Sequence, residues 1–176
     1  LVLLADHELN ASTFAVRVAA STRASLAASI LAGLATLSGP LHGGMTPRVL
    51  GLMREIASEG VEMAVSARLA TGMPLPGFGH PLYPDGDARA RALLTAFTLP
   101  PAYEDTRRAV TALTGEEPNI DFVLTAIASE LGLGPDVPFQ LFAAARCAGW
   151  IAHALEQGET GRLIRPRARY VGPEPA

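Results

Sequence analysis

The sequence predicts an all-α fold, on three observations. Alanine supplies 31 of the 176 residues, and alanine is the best helix former. Apolar residues recur at three- and four-residue spacing along most of the chain. Strict alternation of apolar and polar residues, which marks a half-buried strand, is nearly absent.

The elements follow in order. Ala24 to Leu37 carries no formal charge but includes Ser25, Ser29 and Thr36 and ends at Ser38-Gly39-Pro40. That length and polarity fit a buried core helix rather than a membrane span. Pro47 is well placed at a first helical position, with Val49, Leu50, Met53 and Ile56 at helical spacing before Gly60. Val61 to Leu69 predicts another helix, stopped at Thr71-Gly72. Residues 73–86 are rich in proline and glycine and predict a long irregular loop. Asp87 can cap a helix running through Leu93, Leu94 and Phe97 to Pro100-Pro101. Tyr103 to Leu113 gives the next, ended by Gly115, and Pro118-Asn119 starts one with Phe122, Leu124, Ile127 and Leu131 on one face. Phe139 to Glu156 is the last long helix, before an arginine-rich tail ending in Gly172-Pro173-Glu174-Pro175.

Composition excludes several classes. Apolar residues make up 49% and the net charge is -3, so the chain is neither disordered nor equipped with a basic stripe for nucleic acid. One cysteine, Cys147, leaves no internal disulfide and no cysteine-based metal site. All 14 basic residues are arginine, so no lysine can form a Schiff base. The apolar start Leu1-Val2-Leu3-Leu4 runs straight into Asp6-His7-Glu8 without a basic leader or cleavage site. A cytoplasmic location is expected, and the start reads as an element cut through its middle, as in a fragment.

Four histidines are the first candidates for chemistry. His42 stands in Gly39-Pro40-Leu41-His42-Gly43-Gly44 and His80 in Pro76-Gly77-Phe78-Gly79-His80-Pro81. Flanking glycines let backbone approach a ligand and leave amides free as donors; each histidine taken alone also reads as a cap at a helix-to-loop junction. His7 lies in the polar run Asp6-His7-Glu8-Leu9-Asn10-Ala11-Ser12-Thr13, which reads equally as a helix terminus. His153, after Trp150 on an apolar face, reads as a packed histidine. No two histidines are closer than 35 positions, and no metal site is expected. Cys147, on a small-residue face, reads as packing.

Arg146 sits among Ala143, Ala144, Ala145, Ala148 and Gly149, where a guanidinium needs an anionic partner. Arg89 follows the cap Asp87, and Arg165-Pro166-Arg167 is a stiff basic turn. Guanidinium groups grip carboxylates bidentately, so several of them with neutral histidines point to a small polycarboxylate substrate. Asp121 stands at a helix start, where the dipole favours an acid, or serves as a base beside Phe122.

Asp6-His7-Glu8-Leu9-Asn10-Ala11-Ser12-Thr13, Gly39-Pro40-Leu41-His42-Gly43-Gly44, Gly77-Phe78-Gly79-His80, Pro118-Asn119-Ile120-Asp121-Phe122 and Arg165-Pro166-Arg167 occur in the order found in citrate synthases. The sequence thus resembles the C-terminal half or so of that family. The resemblance implies a multi-helical subunit in which a small domain, residues 44–134, is inserted in a partial large domain, residues 1–43 and 135–176. It implies condensation of acetyl-CoA with oxaloacetate to citrate and CoA. No cofactor would be held permanently; the coenzyme A thioester is a co-substrate. The partners would be these substrates and a second copy, as a homodimer, without nucleic acid or membrane. His42 resembles the residue that hydrogen-bonds the thioester oxygen, Asp121 the base that removes the methyl proton, and His80 the residue that polarises the oxaloacetate carbonyl. His7, Arg89, Arg146 and Arg165 resemble carboxylate ligands, Arg165 reaching the neighbouring subunit's site. Leu75, Pro76, Gly77, Phe78 and Gly79 resemble the segment that receives coenzyme A.

Three departures accompany the resemblance. The family often has basic residues just after the residue matched by His80, whereas Pro81-Leu82-Tyr83-Pro84 has none. Ala88 replaces a common proline, and Met45-Thr46 a frequent Ala-Asn pair. The expectations are therefore a citrate synthase, with a 2-methylcitrate synthase using propionyl-CoA or a metabolite-binding regulatory protein as alternatives. As a fragment, the chain alone is expected to be inactive.

Overall fold

A computed structural model describes residues 1–172; residues 173–176, the end of the predicted tail, lie outside the described residues. A 3-10 turn at Val2–Leu4 leads into α1 (Ala11–Ser21) and α2 (Leu26–Leu37), followed by α3 (Met45–Glu59) and α4 (Val61–Ala70). After the long loop come α5 (Ala88–Ala96), α6 (Pro101–Thr114), α7 (Ile120–Glu130) and α8 (Val137–Thr160). Among the described residues there is no strand, only an isolated antiparallel bridge between Phe78 and Pro118.

The sequence signals act where they stand. Asn10 caps α1, Ser25 caps α2, Asp87 caps α5 and Asn119 caps α7, each side chain accepting from a free backbone N–H of the first turn. Pro101 occupies the first position of α6, where its missing N–H costs no hydrogen bond. α3 begins at Met45, so Pro47 sits within its first turn rather than at its start. α8 extends beyond its predicted ends at both sides.

Two groups of helices each have their own core. Val16, Ala20, Leu37, Ala143 and Trp150 join α1, α2 and α8. Val49, Leu52, Val65, Val110, Phe122 and Val123 join α3, α4, α6 and α7. Leu4, Ile120, Leu124 and Ala145 connect the two groups through the contact of α7 with α8. α2 differs from the expected buried core helix. It buries one stripe, Ser29, Gly33 and Leu37, while Leu26 and Leu31 on its other faces are 42% and 66% exposed. α1 and α8 pack against that stripe. Among the described residues, no helix is long and apolar enough to cross a membrane.

Candidate active site

The segment carrying His7 is fixed from below by α8. Gly149 N–H donates to Ala5 O at 3.1 Å, and a Cβ at position 149 would lie 2.1 Å from that oxygen. Only glycine permits so close an approach. Arg146 Nε donates to Leu4 O at 2.8 Å. His153 is more than a packed ring: it bridges Arg17 Nη1 at 3.0 Å and Asp6 Oδ1 at 3.1 Å. From above, the capping residue Asn10 donates from Nδ2 to His7 O at 3.2 Å. Its Oδ1 accepts from Thr13 N and from Ser12 Oγ. Ser12 Oγ also lies 2.8 Å from His42 Nε2. One helix cap therefore holds both the His7 and the His42 motifs.

The Pro76–Pro81 loop is tied to the start of α7. Gly79 N–H donates to Glu117 O at 2.9 Å and Asn119 N–H to Gly77 O at 2.8 Å. Asn119 Nδ2 donates to Gly79 O, while Asn119 Oδ1 accepts from Asp121 N. A single amide thus joins the loop that bears His80 to the helix that bears Asp121. Gly77 has φ +85°, and a Cβ there would lie 2.8 Å from Phe122 Cβ. Both conformation and space require glycine at this crossing.

The result is a cavity of about 710 Å³ whose wall contains His42, His80 and Asp121 together with Leu75, Pro76 and Phe78. Gly79 lines it as well, while Gly77 lies behind the wall against Phe122. A neighbouring groove of about 780 Å³ shares His80 with this cavity and is lined by Tyr83, but contains neither His42 nor Asp121. Burial pushes the Asp121 carboxyl up to about 6, with Arg89 opposing and Asp87 adding to the rise. Burial and the charge of Arg146 hold His42 below its ordinary value. Burial and Arg89 do the same for His80, against Asp87. Leu82 N–H donates to His80 Nδ1 at 3.2 Å, so the neutral ring carries its proton on Nε2.

His7 meets His80 edge-on, with ring centroids 5.6 Å apart. Beside both stands Tyr83, to which the sequence assigns no role. Its hydroxyl lies 2.8 Å from His7 Nε2, its ring tilts against His80 at 4.8 Å, and Arg89 lies over its face at 5.4 Å. The available signal was an aromatic three positions beyond His80 in a proline-framed turn. Asp87, read only as a cap, is also more: its carboxylate pairs bidentately with Arg89 and accepts from Ile120 N–H at 3.0 Å. Burial lowers His7 as well, followed by Arg89, Arg146 and His80, against Asp87.

Arg146 departs from the expected ion pair. It is 1% exposed, yet its partners are the Leu4 carbonyl and the face of Phe142 at 4.7 Å. Nη2 is buried without a hydrogen-bond partner. Burial, then Arg89, lowers its affinity for the proton, against Asp6 and Tyr83. A guanidinium stripped of water and lacking a carboxylate is an uncompensated charge. Arg165 stands apart from this cluster, exposed in the tail. Cys147 packs beside the α1–α2–α8 core, and burial pushes its thiol up, as packing requires. Among the described residues, no group of three His, Cys, Asp or Glu could hold a metal ion.

These features define an all-α protein whose candidate site is built from imidazole, carboxylate and guanidinium groups of separate helices and loops. The citrate synthase, C-terminal domain, family profile matches residues 1–167. Citrate synthase 2 of Bacillus subtilis is 41% identical over 185 residues, which cover 99% of this chain and 50% of that protein. The 2-methylcitrate synthase 2 of Corynebacterium glutamicum is 37% identical over 185 residues, covering 99% and 48%. A solved ternary complex of carboxymethyl coenzyme A and oxaloacetate with the citrate synthase of Thermoplasma acidophilum superposes with a TM-score of 0.79 at 33% identity, covering 99% of this chain and 51% of that one. The chain belongs to the citrate synthase family. It spans about half the length of the relatives it matches.

Proposed function

We propose that the protein carrying this chain condenses acetyl-CoA with oxaloacetate, releasing citrate and CoA. The observation that carries this reading is one cavity wall holding His42, His80 and a half-buried Asp121 whose carboxyl is pushed up to about 6. Asp121 takes a proton from the acetyl methyl group; a carboxyl that ionises near neutrality is a stronger base than an exposed one. His42 stabilises the enol oxygen. The Ser12 hydroxyl has one proton and two acceptors, Asn10 Oδ1 and His42 Nε2. Released from Asn10, to which it donates in the free site, and turned towards His42, it fixes the tautomer that presents Nδ1–H to the thioester oxygen. His80 Nε2–H polarises the keto carbonyl, and the enol carbon attacks it. Water then cleaves the thioester, so CoA leaves with the added proton. Arg146 Nη2, Arg89 and His7 hold the carboxylates of the keto-diacid. Leu75–Gly79 receives the coenzyme A arm.

The arrangement into two helix groups supports a large domain, residues 1–43 and 135–176, and an inserted small domain, residues 44–134. The apolar faces that α2 leaves open support a homodimer, with Arg165 reaching the neighbouring site. The test is thiol release by the full-length protein. Free thiol is expected from acetyl-CoA only when oxaloacetate is present. Faster turnover with propionyl-CoA would favour the second reading, a 2-methylcitrate synthase, which the 37% identical relative supports. Oxaloacetate binding without thiol release would leave a metabolite-binding protein.

The pH profile follows from the site's charges. Asp121 must be ionised, so kcat is expected to rise with pH through about 6. Burial holds the three histidines below their ordinary value, which favours their neutral forms. A midpoint in the range of an exposed carboxylate would contradict the assignment of Asp121 as the base.

A further inference from the structure

The wall of the cavity that continues from His42 along α3 carries two cations. Arg48 is exposed on α3 and Arg68 projects from α4, and both line the cavity with Asp121 and Leu75. Arg48 has no ion pair among the described residues. Arg68 is braced by Glu55, which accepts from Nε at 2.8 Å and from Nη2 at 2.7 Å, leaving Nη1 out of the pair. Its side chain is only 15% exposed, so it is a prearranged donor rather than a loose surface charge.

Between them lies Gly51. A glycine inside a helix weakens it, and crowding usually explains one. Here a Cβ would meet nothing within 4 Å. The residue thus leaves bare backbone on the cavity wall, a flat crossing flanked by guanidinium groups. The segment after His80 offers no alternative: Pro81 to Ala88 contains no basic residue and two acids, Asp85 and Asp87.

We infer that Arg48 and Arg68 form an anion grip on the α3–α4 face that takes the phosphate groups of the acyl-CoA, the ligand crossing the wall at Gly51. This inference rests on the condensation reading above. It moves phosphate recognition from the loop after His80 to two helices, and it assigns Glu55 as the positioning residue for Arg68.

Calorimetric titration of the full-length protein with CoA and with pantetheine, which lacks the phosphates, separates the possibilities. The wild type is expected to bind CoA more tightly than pantetheine, with an affinity that falls as salt rises. Arg48→Glu should weaken CoA by about tenfold or more and leave pantetheine unchanged. Arg48 is exposed, so the fold should survive the change. Gly51→Leu, placed in open space, should keep the thermal midpoint and still weaken CoA. CoA affinity untouched by either substitution would overturn the grip while leaving the condensation reading standing. A wild type that binds neither CoA nor pantetheine would overturn both.

Discussion

Replacing Asp121 with Asn is expected to lower kcat by about 10²- to 10⁴-fold, the usual contribution of a positioned general base. Oxaloacetate affinity should change by less than about twofold, within the scatter of substitutions that touch no ligand contact. The substitution keeps the shape of the side chain. It also preserves the start of α7, because the capping interaction runs from Asn119 Oδ1 to the backbone N–H of residue 121 and not through the Asp121 carboxylate. The carboxylate lies in the cavity wall with His42 and His80, and removing a buried charge relieves desolvation, so the variant should fold at least as well. What disappears is the only carboxylate that the described residues place in the wall of this cavity. The keto-diacid is assigned to Arg146, Arg89 and His7, none of which Asp121 touches. A variant that still turns over would remove Asp121 from the chemistry. A variant that loses oxaloacetate binding as well would move Asp121 into the keto-acid subsite and leave the base unassigned.

Much of this site was legible in the sequence because each motif is also a local structural device. Asn10, Asp87 and Asn119 announce helix starts through their own side chains, and the residues beside them are placed by the same caps. Gly77 and Gly79 announce a loop in left-handed conformations that few other residues adopt. What the sequence hid was long-range. Nothing local distinguishes Asp87 as a helix cap from Asp87 as the partner of Arg89 and of Ile120 N–H, 33 positions away. Tyr83 gains its place only because the loop folds back on His7, 76 positions earlier. The apolar neighbours of Arg146 call for an anion; a backbone carbonyl and an aromatic face hold the guanidinium instead, and its Nη2 stays without a partner. The α2 sequence carries no charge on any side, and periodicity alone does not say which faces the rest of the chain covers.

Asp87→Ala is expected to destabilise the fold by about 3–5 kcal/mol, the usual cost of removing one partner of a buried pair. The Asp87 side chain is wholly buried, and that of Arg89 is 11% exposed. Loss of the carboxylate strands the Arg89 guanidinium and leaves Ile120 N–H, at the first turn of α7, without its acceptor. The effect has a characteristic pH dependence. Burial alone would push the Asp87 carboxyl up, but the hydrogen bond and charge of Arg89, with the N–H groups of Ile120 and Arg89, outweigh it and hold the carboxyl below its ordinary value. The unfolded chain therefore binds the proton first. The stabilisation is complete above the ordinary carboxylate range and is lost as pH falls through it towards the folded value. Urea unfolding at neutral pH should show the full gap between wild type and variant, and at acid pH the gap should narrow. The same substitution removes a negative neighbour of Asp121 and leaves Arg89 uncompensated, so any residual activity should show its rise at lower pH than in the wild type. Asp87→Asn separates the roles: its carbonyl can still accept from Ile120 N–H, but it no longer balances Arg89. Stability in Asp87→Ala equal to wild type, with an unmoved pH profile, would mean that Asp87 holds neither Arg89 nor the helix that carries the base.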